Sequence, residues 1–125
     1  MPSLEMVGPF KLSISVIDEK VGKNKIGNYA LGYVSNDKIH FIVRYVGRSD
    51  SDLNQRLKDH VNESDEYQLF KFSYASSPIE AFKKECINFH DFGAEKYLDN
   101  KIHPDAPEGC GAICPICGIV CKIKK

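Results

Sequence analysis

Apolar residues recur along the chain with two different periods, and the changes of period divide it into elements. Leu12, Ile14 and Val16 alternate with polar neighbours over residues 11–18, which predicts a half-buried strand. After a polar stretch, residues 28–35 and 39–46 are rich in Tyr, Val, Ile and Phe, and Asn36-Asp37-Lys38 between them is a tight-turn sequence. These two segments predict a β-hairpin, and a turn centred on Asp37 would set Tyr29 directly across from Tyr45 with both side chains on one face. The period then lengthens. Ser49-Asp50-Ser51-Asp52 offers several capping residues, and Leu53, Leu57 and Val61 follow at helical spacing. Alternation returns over residues 67–73, with Leu69 and Lys71 opposed to Phe70 and Phe72. Ser77-Pro78-Ile79-Glu80 is a capping box with proline at the first helical position. The helix it opens would bury Ile79, Phe82, Cys86 and Phe89 and stop at Gly93.

The expected fold is therefore an α/β domain of the α+β kind, a small, largely antiparallel sheet flanked by helices. At 125 residues the chain can bury one core but not two independent ones. Residues 1–100, including the N-terminal strand, form the expected domain, and residues 101–125 form a cysteine-rich tail. Hydrophobic residues at 42% and charged residues at 27% are globular values. The apolar runs are far shorter than the roughly 20 residues that span a bilayer, and the first residues lack the pattern of a secretion signal. A soluble, cytoplasmic protein without a membrane partner is the resulting expectation.

Candidate chemistry sharpens this picture. Arg56 and His60 are i,i+4 neighbours beside the apolar stripe of their helix. Glu85 lies beside Phe82 and Cys86 at the margin of a buried face, where a carboxylate is costly unless a cation or donor compensates it. Together with Tyr29 and Tyr45 these residues suit phosphodiester hydrolysis, which needs neutralised phosphate oxygens, an oriented nucleophile and help for the leaving oxygen. Glu85 is a hard oxygen donor for Mg²⁺ or Mn²⁺, with water and substrate completing the shell. Arg56 would clamp the phosphate through its planar fork, and Arg48 could do so from the strand end. Tyr29 and Tyr45 can orient water, or act as base if the phenol pKa falls well below its usual value of about 10.

The stretches Gly27-Asn28-Tyr29 and Tyr45-Val46-Gly47-Arg48, followed by Arg56, His60 and Glu85, resemble the GIY-YIG nuclease family of homing endonucleases, some restriction enzymes and an excision-repair nuclease subunit. The resemblance covers roughly residues 26–100. It implies that Tyr29 and Tyr45 are the two motif tyrosines, Arg56 the helix arginine and Glu85 the metal-binding glutamate. His60 matches a position where members carry histidine or tyrosine, Arg48 one where some carry lysine, and Asn100 one where some carry asparagine; the last two would contact substrate. Two features depart from the family: the first motif reads Gly-Asn-Tyr, and the segment between the tyrosines is long, leaving Gly32-Tyr33-Val34 as a rival first motif. The implied activity is a divalent-metal-dependent endonuclease acting on nucleic acid, DNA in preference to RNA, with a protein partner available for targeting. Lys and Arg number 17, as do Asp and Glu, so the net charge is zero. That balance is unusual for a protein that holds a polyanion, and it keeps open a noncatalytic module binding nucleic acid or protein.

Four of the five cysteines crowd together as Cys110-x₃-Cys114-Pro-Ile-Cys117-Gly-x₂-Cys121. A Cys-Pro-x-Cys-Gly turn presents two thiolates to one metal, and Cys110 and Cys121, with His103 as an alternative, can complete a structural Zn²⁺ site. The spacing from Cys110 to Cys117 also matches the iron-sulfur motif of radical SAM enzymes, which place it early in a much larger barrel.

Overall fold

The structure, a computed structural model, describes residues 5–36, 40–63, 66–93 and 97–100. Its elements in order are β1 (Val7–Lys11), α1 (Ile14–Lys20), β2 (Gly27–Val34), β3 (Phe41–Ser49), α2 (Leu53–Glu63), β4 (Leu69–Tyr74) and α3 (Pro78–Asp91). The four strands form one antiparallel sheet in the order β1-β4-β2-β3. The fold is thus α+β, an antiparallel sheet between helices, as the sequence pattern predicts. Among the described residues no helix is long and apolar enough to cross a membrane.

The first element differs from expectation. Residues 14–20 are helical, and the N-terminal strand lies earlier, at Val7–Lys11. The Ser13 side chain accepts a hydrogen bond from the Val16 N–H and caps the helix. Ile17 and Val21, four residues apart, are then buried while Ile14 is exposed. The i,i+4 pair therefore decides the period, and the alternation of Leu12, Ile14 and Val16 is incidental. Asn54 of α2 donates to the Val21 carbonyl at 2.8 Å, satisfying a group that the short helix leaves without an intrahelical partner.

Side-chain alternation along β2 divides the interior in two. Tyr29 and Leu31 point to one face, where they pack with Phe70, Phe72, Ile17, Leu53 and Leu57 beneath α1 and α2. Ala30 points to the other, joining Val46, Phe89 and Leu98 beneath α3. Phe70 and Phe72 are both buried, so the alternation predicted over β4 is realised. The start of α3 also agrees with its sequence signature: Ser77 caps it, accepting from the Glu80 N–H at 3.2 Å, and Gly93 follows with φ of 98°. Its buried stripe is shifted, because Ile79 is exposed and Ala81 takes its place.

β3 is an outer strand, and the segment 97–100 lies along its open side. The Asp99 N–H donates to the Arg44 carbonyl at 2.5 Å. Asn100 accepts from the Val46 N–H at 3.0 Å and donates to the Val46 carbonyl at 2.8 Å, so one side-chain amide stands in for a neighbouring strand. Replacing Asn100 by alanine strips the partners from both the N–H and the carbonyl of the buried Val46. Asn100→Ala is expected to lower stability by about 1–3 kcal/mol, read as a shift in the urea midpoint; an unchanged midpoint would mean that the bonds to Val46 contribute nothing net.

Candidate active site

The hairpin register brings the two tyrosines together in an unexpected way. Tyr29 pairs with Gly47, and Tyr45 pairs with Leu31: the pairs nearer the turn, such as Val34 with Phe41, already stand one residue from the expected register, and a bulge between Leu31 and Gly32 adds one more. The expected direct opposition of Tyr29 and Tyr45 is thus corrected to a diagonal relation. The shift is even, so both rings remain on one face and stack with centroids 6.3 Å apart and planes 12° from parallel. Gly47 has a steric part in this: a Cβ built there would lie 2.4 Å from the Cζ and Oη of Tyr29. The ring of Tyr29 therefore runs outward over the backbone of β3 toward the sheet edge.

α2 supplies the polar partners on that face. The Leu53 N–H donates to the Lys25 carbonyl, Leu53 and Leu57 are buried, and this anchoring turns Arg56 and His60 toward the tyrosines. His60 Nε2 lies 2.6 Å from the Tyr29 hydroxyl, and its ring meets Tyr45 edge-on at 5.2 Å. The Arg56 guanidinium lies close enough to both phenols for its charge to draw their pKa downward. Tyr29 is buried, whereas Tyr45 and Arg56 are half-buried, so the latter two are the groups an incoming ligand meets.

Glu85 and Arg48 occupy the other face of the same edge strand. Arg48 is the cross-strand partner of Asn28, which faces α3. Its Nη1 donates to Glu85 Oε1 at 2.6 Å, its Nε donates to Asp50 Oδ1 at 2.8 Å, and its guanidinium lies 5.5 Å from the centre of the Phe82 ring. The two groups of residues are close enough for the charge of Glu85 to act on both phenols. Tyr29, Tyr45, Arg56, His60, Arg48 and Glu85 thus gather about one stretch of β3, while Asn100 commits both ends of its amide to Val46.

Burial sets the protonation of the cluster. It pushes the Tyr29 phenol well above its ordinary value, against the pull of Arg56, and raises Tyr45 in the same way. His60 is pushed down to about 4 by burial, and the charge of Arg56 adds to this. A neutral imidazole has one donor and one acceptor nitrogen, so the tautomer sets which of Tyr29 Oη and His60 Nε2 donates in their 2.6 Å bond. The unfolded chain takes up a proton at His60 near pH 6.5, whereas the folded one resists until about pH 4. The contribution is therefore fully present above pH 6.5 and is lost as the pH falls through that window, at no more than about 1.4 kcal/mol per unit. Urea unfolding of wild type and His60→Gln across the window should show a shallower fall for the variant; parallel slopes would mean that His60 titrates normally.

Among the described residues no three His, Cys, Asp or Glu side chains come together as a metal-binding group. The four tail cysteines, Cys110, Cys114, Cys117 and Cys121, and His103 lie outside the described residues. Two contributors escaped the sequence reading. Asp50 looked like a helix cap, yet it holds Arg48, a pairing that the i,i+2 spacing along an extended segment could have suggested. Asn28 looked like a departure from a motif, and its burial follows only from the packing of α3 over β2. Compared with family models, curated proteins and solved structures, the chain matches none.

Proposed function

We propose that the chain is a divalent-metal-dependent endonuclease of the GIY-YIG type that hydrolyses phosphodiester bonds in nucleic acid, DNA in preference to RNA. The observation that carries this reading is the gathering of Tyr29, Tyr45, His60 and Arg56 around β3 from the face opposite Arg48 and Glu85. Arg56 binds a phosphate oxygen through its planar guanidinium N–H groups. Tyr45, the more accessible phenol, orients the attacking water, and the Tyr29 ring, held by His60 and stacked on Tyr45, fixes the position of the Tyr45 ring. Glu85 would hold Mg²⁺ or Mn²⁺, since a carboxylate is a hard oxygen donor for a cation that retains water and substrate oxygens. When bound, such an ion supplies Lewis acidity worth several kcal/mol.

Two observations favour a second reading. Glu85 is engaged by Arg48 and Tyr29 is almost wholly buried, an arrangement that also suits a noncatalytic module binding nucleic acid or protein. Incubation with nicked, branched, single-stranded and duplex DNA and with RNA, in Mg²⁺ or Mn²⁺, separates the two. Cleavage of at least one substrate that stops on chelation is the expected result. Metal-independent binding with no cleavage of any of them would replace the nuclease by the binding module.

A further inference from the structure

Asn28 is fully buried on β2 and faces α3. Its Nδ2 donates to the Ala81 carbonyl at 2.8 Å, and because a carbonyl can only receive a donor, this bond fixes which end of the amide is oxygen. Oδ1 is then a buried acceptor with no donor. Such an atom is rare in a folded protein and calls for an occupant.

The surroundings of that oxygen define the occupant's chemistry. In the α-helical pattern the Ala81 carbonyl also receives the Glu85 N–H, so the Asn28 amide and the Glu85 backbone meet at one oxygen. Side chains on a helix lean toward its N-terminus, which brings the Glu85 carboxylate back over the turn that carries Ala81. Across the hairpin, Asn28 is paired with Arg48, whose Nη1 touches Glu85. Asn28, Arg48 and Glu85 are therefore mutual neighbours.

We propose that Asn28 Oδ1 is a second protein oxygen ligand for the divalent cation held at Glu85. An amide carbonyl beside a carboxylate is a hard, all-oxygen donor pair of the kind that Mg²⁺ and Mn²⁺ accept. Arg48 need not leave for the ion to enter: its bonds to Asp50, at 2.8 and 3.3 Å, keep it neutralised while Nη1 gives up the carboxylate. The inference rests on the reading of Glu85 as a metal ligand, and it adds that the asparagine of Gly-Asn-Tyr is a functional residue.

Mn²⁺ binding to the full chain, followed through the electron paramagnetic resonance of the free ion, tests it with wild type, Asn28→Ala, Asn28→Asp and Glu85→Gln. Wild type should bind an ion that Glu85→Gln loses, Asn28→Ala should bind it about tenfold more weakly or worse, and Asn28→Asp should bind at least as tightly as wild type. Equal affinity in Asn28→Ala and wild type, or an Asn28→Asp variant as weak as Asn28→Ala, would overturn the proposal and leave Oδ1 to a buried water, with Glu85 untouched. Should Asn28→Ala fail to fold, Asn28→Asp binding more weakly than wild type overturns it. No Mn²⁺ bound by wild type beyond that of Glu85→Gln would overturn both this inference and the metal role of Glu85.

Discussion

Glu85→Gln is expected to lower metal-dependent cleavage by on the order of 10³-fold, equivalent to about 4 kcal/mol of transition-state stabilisation. Glutamine keeps the shape of the side chain and an oxygen that Arg48 Nη1 can reach, so the buried contact at 2.6 Å is weakened without leaving a void. What it loses is the negative charge that a hard cation requires. The measurement is the cleavage rate at saturating Mg²⁺, taken with a far-ultraviolet circular dichroism melt to show that the variant is folded. Cleavage that survives in a folded Glu85→Gln protein would place the activity elsewhere or in a contaminant. Nucleic-acid binding without metal should persist, because Arg56 is unaffected.

Gly47→Ala should damage both stability and activity. The added methyl would stand 2.4 Å from Tyr29, and the ring has little room to retreat. It stacks on Tyr45, meets His60 at a centroid distance of 5.1 Å and holds the 2.6 Å hydrogen bond to Nε2. Overpacking of this kind costs about 1–3 kcal/mol, and a misplacement of about 1 Å at a reacting group can cost on the order of 10² in rate. Denaturant unfolding and cleavage kinetics of the same preparation read both. The double variant Gly47→Ala/Tyr29→Leu should be more stable than the two separate losses would sum to, since the shorter side chain makes room for the methyl. Strict additivity would show that ring and strand are not apposed.

Local signals were legible where one force dominates. The capping box at Ser77, the alternation of Phe70 and Phe72 and the stripe of Leu53 and Leu57 each depend on residues a few positions apart, and each is found as expected. The N-terminal region misled because two periods coexist there, and the Ser13 cap together with the burial of Ile17 and Val21 selects the helix. The hairpin was legible but its register was not: pairing from Val34 and Phe41 onward is one residue off a turn centred on Asp37, and the bulge that adds a second depends on how the strands twist together. For the candidate site, the shared face of Tyr29 and Tyr45 survived the register error because the shift was even. The contacts of Arg48 with Glu85 and of Asn28 with Ala81 join residues 37 and 53 positions apart, and only the packing of α3 creates them.

The short segment carrying Asp99 and Asn100 has a consequence for how the protein behaves in company. A sheet four strands wide has two flanks where another chain could add itself, the usual beginning of fibrous aggregation. One flank, β1, contains Pro9, which has no N–H to offer, and an irregularity between Val7 and Phe10 that spoils the spacing for an incoming strand. The other flank is β3, whose peptide groups at Arg44 and Val46 are already occupied by Asp99 and Asn100. Among the described residues, Asp99 and Asn100 thus act as a stopper on that flank, as Pro9 does on the other.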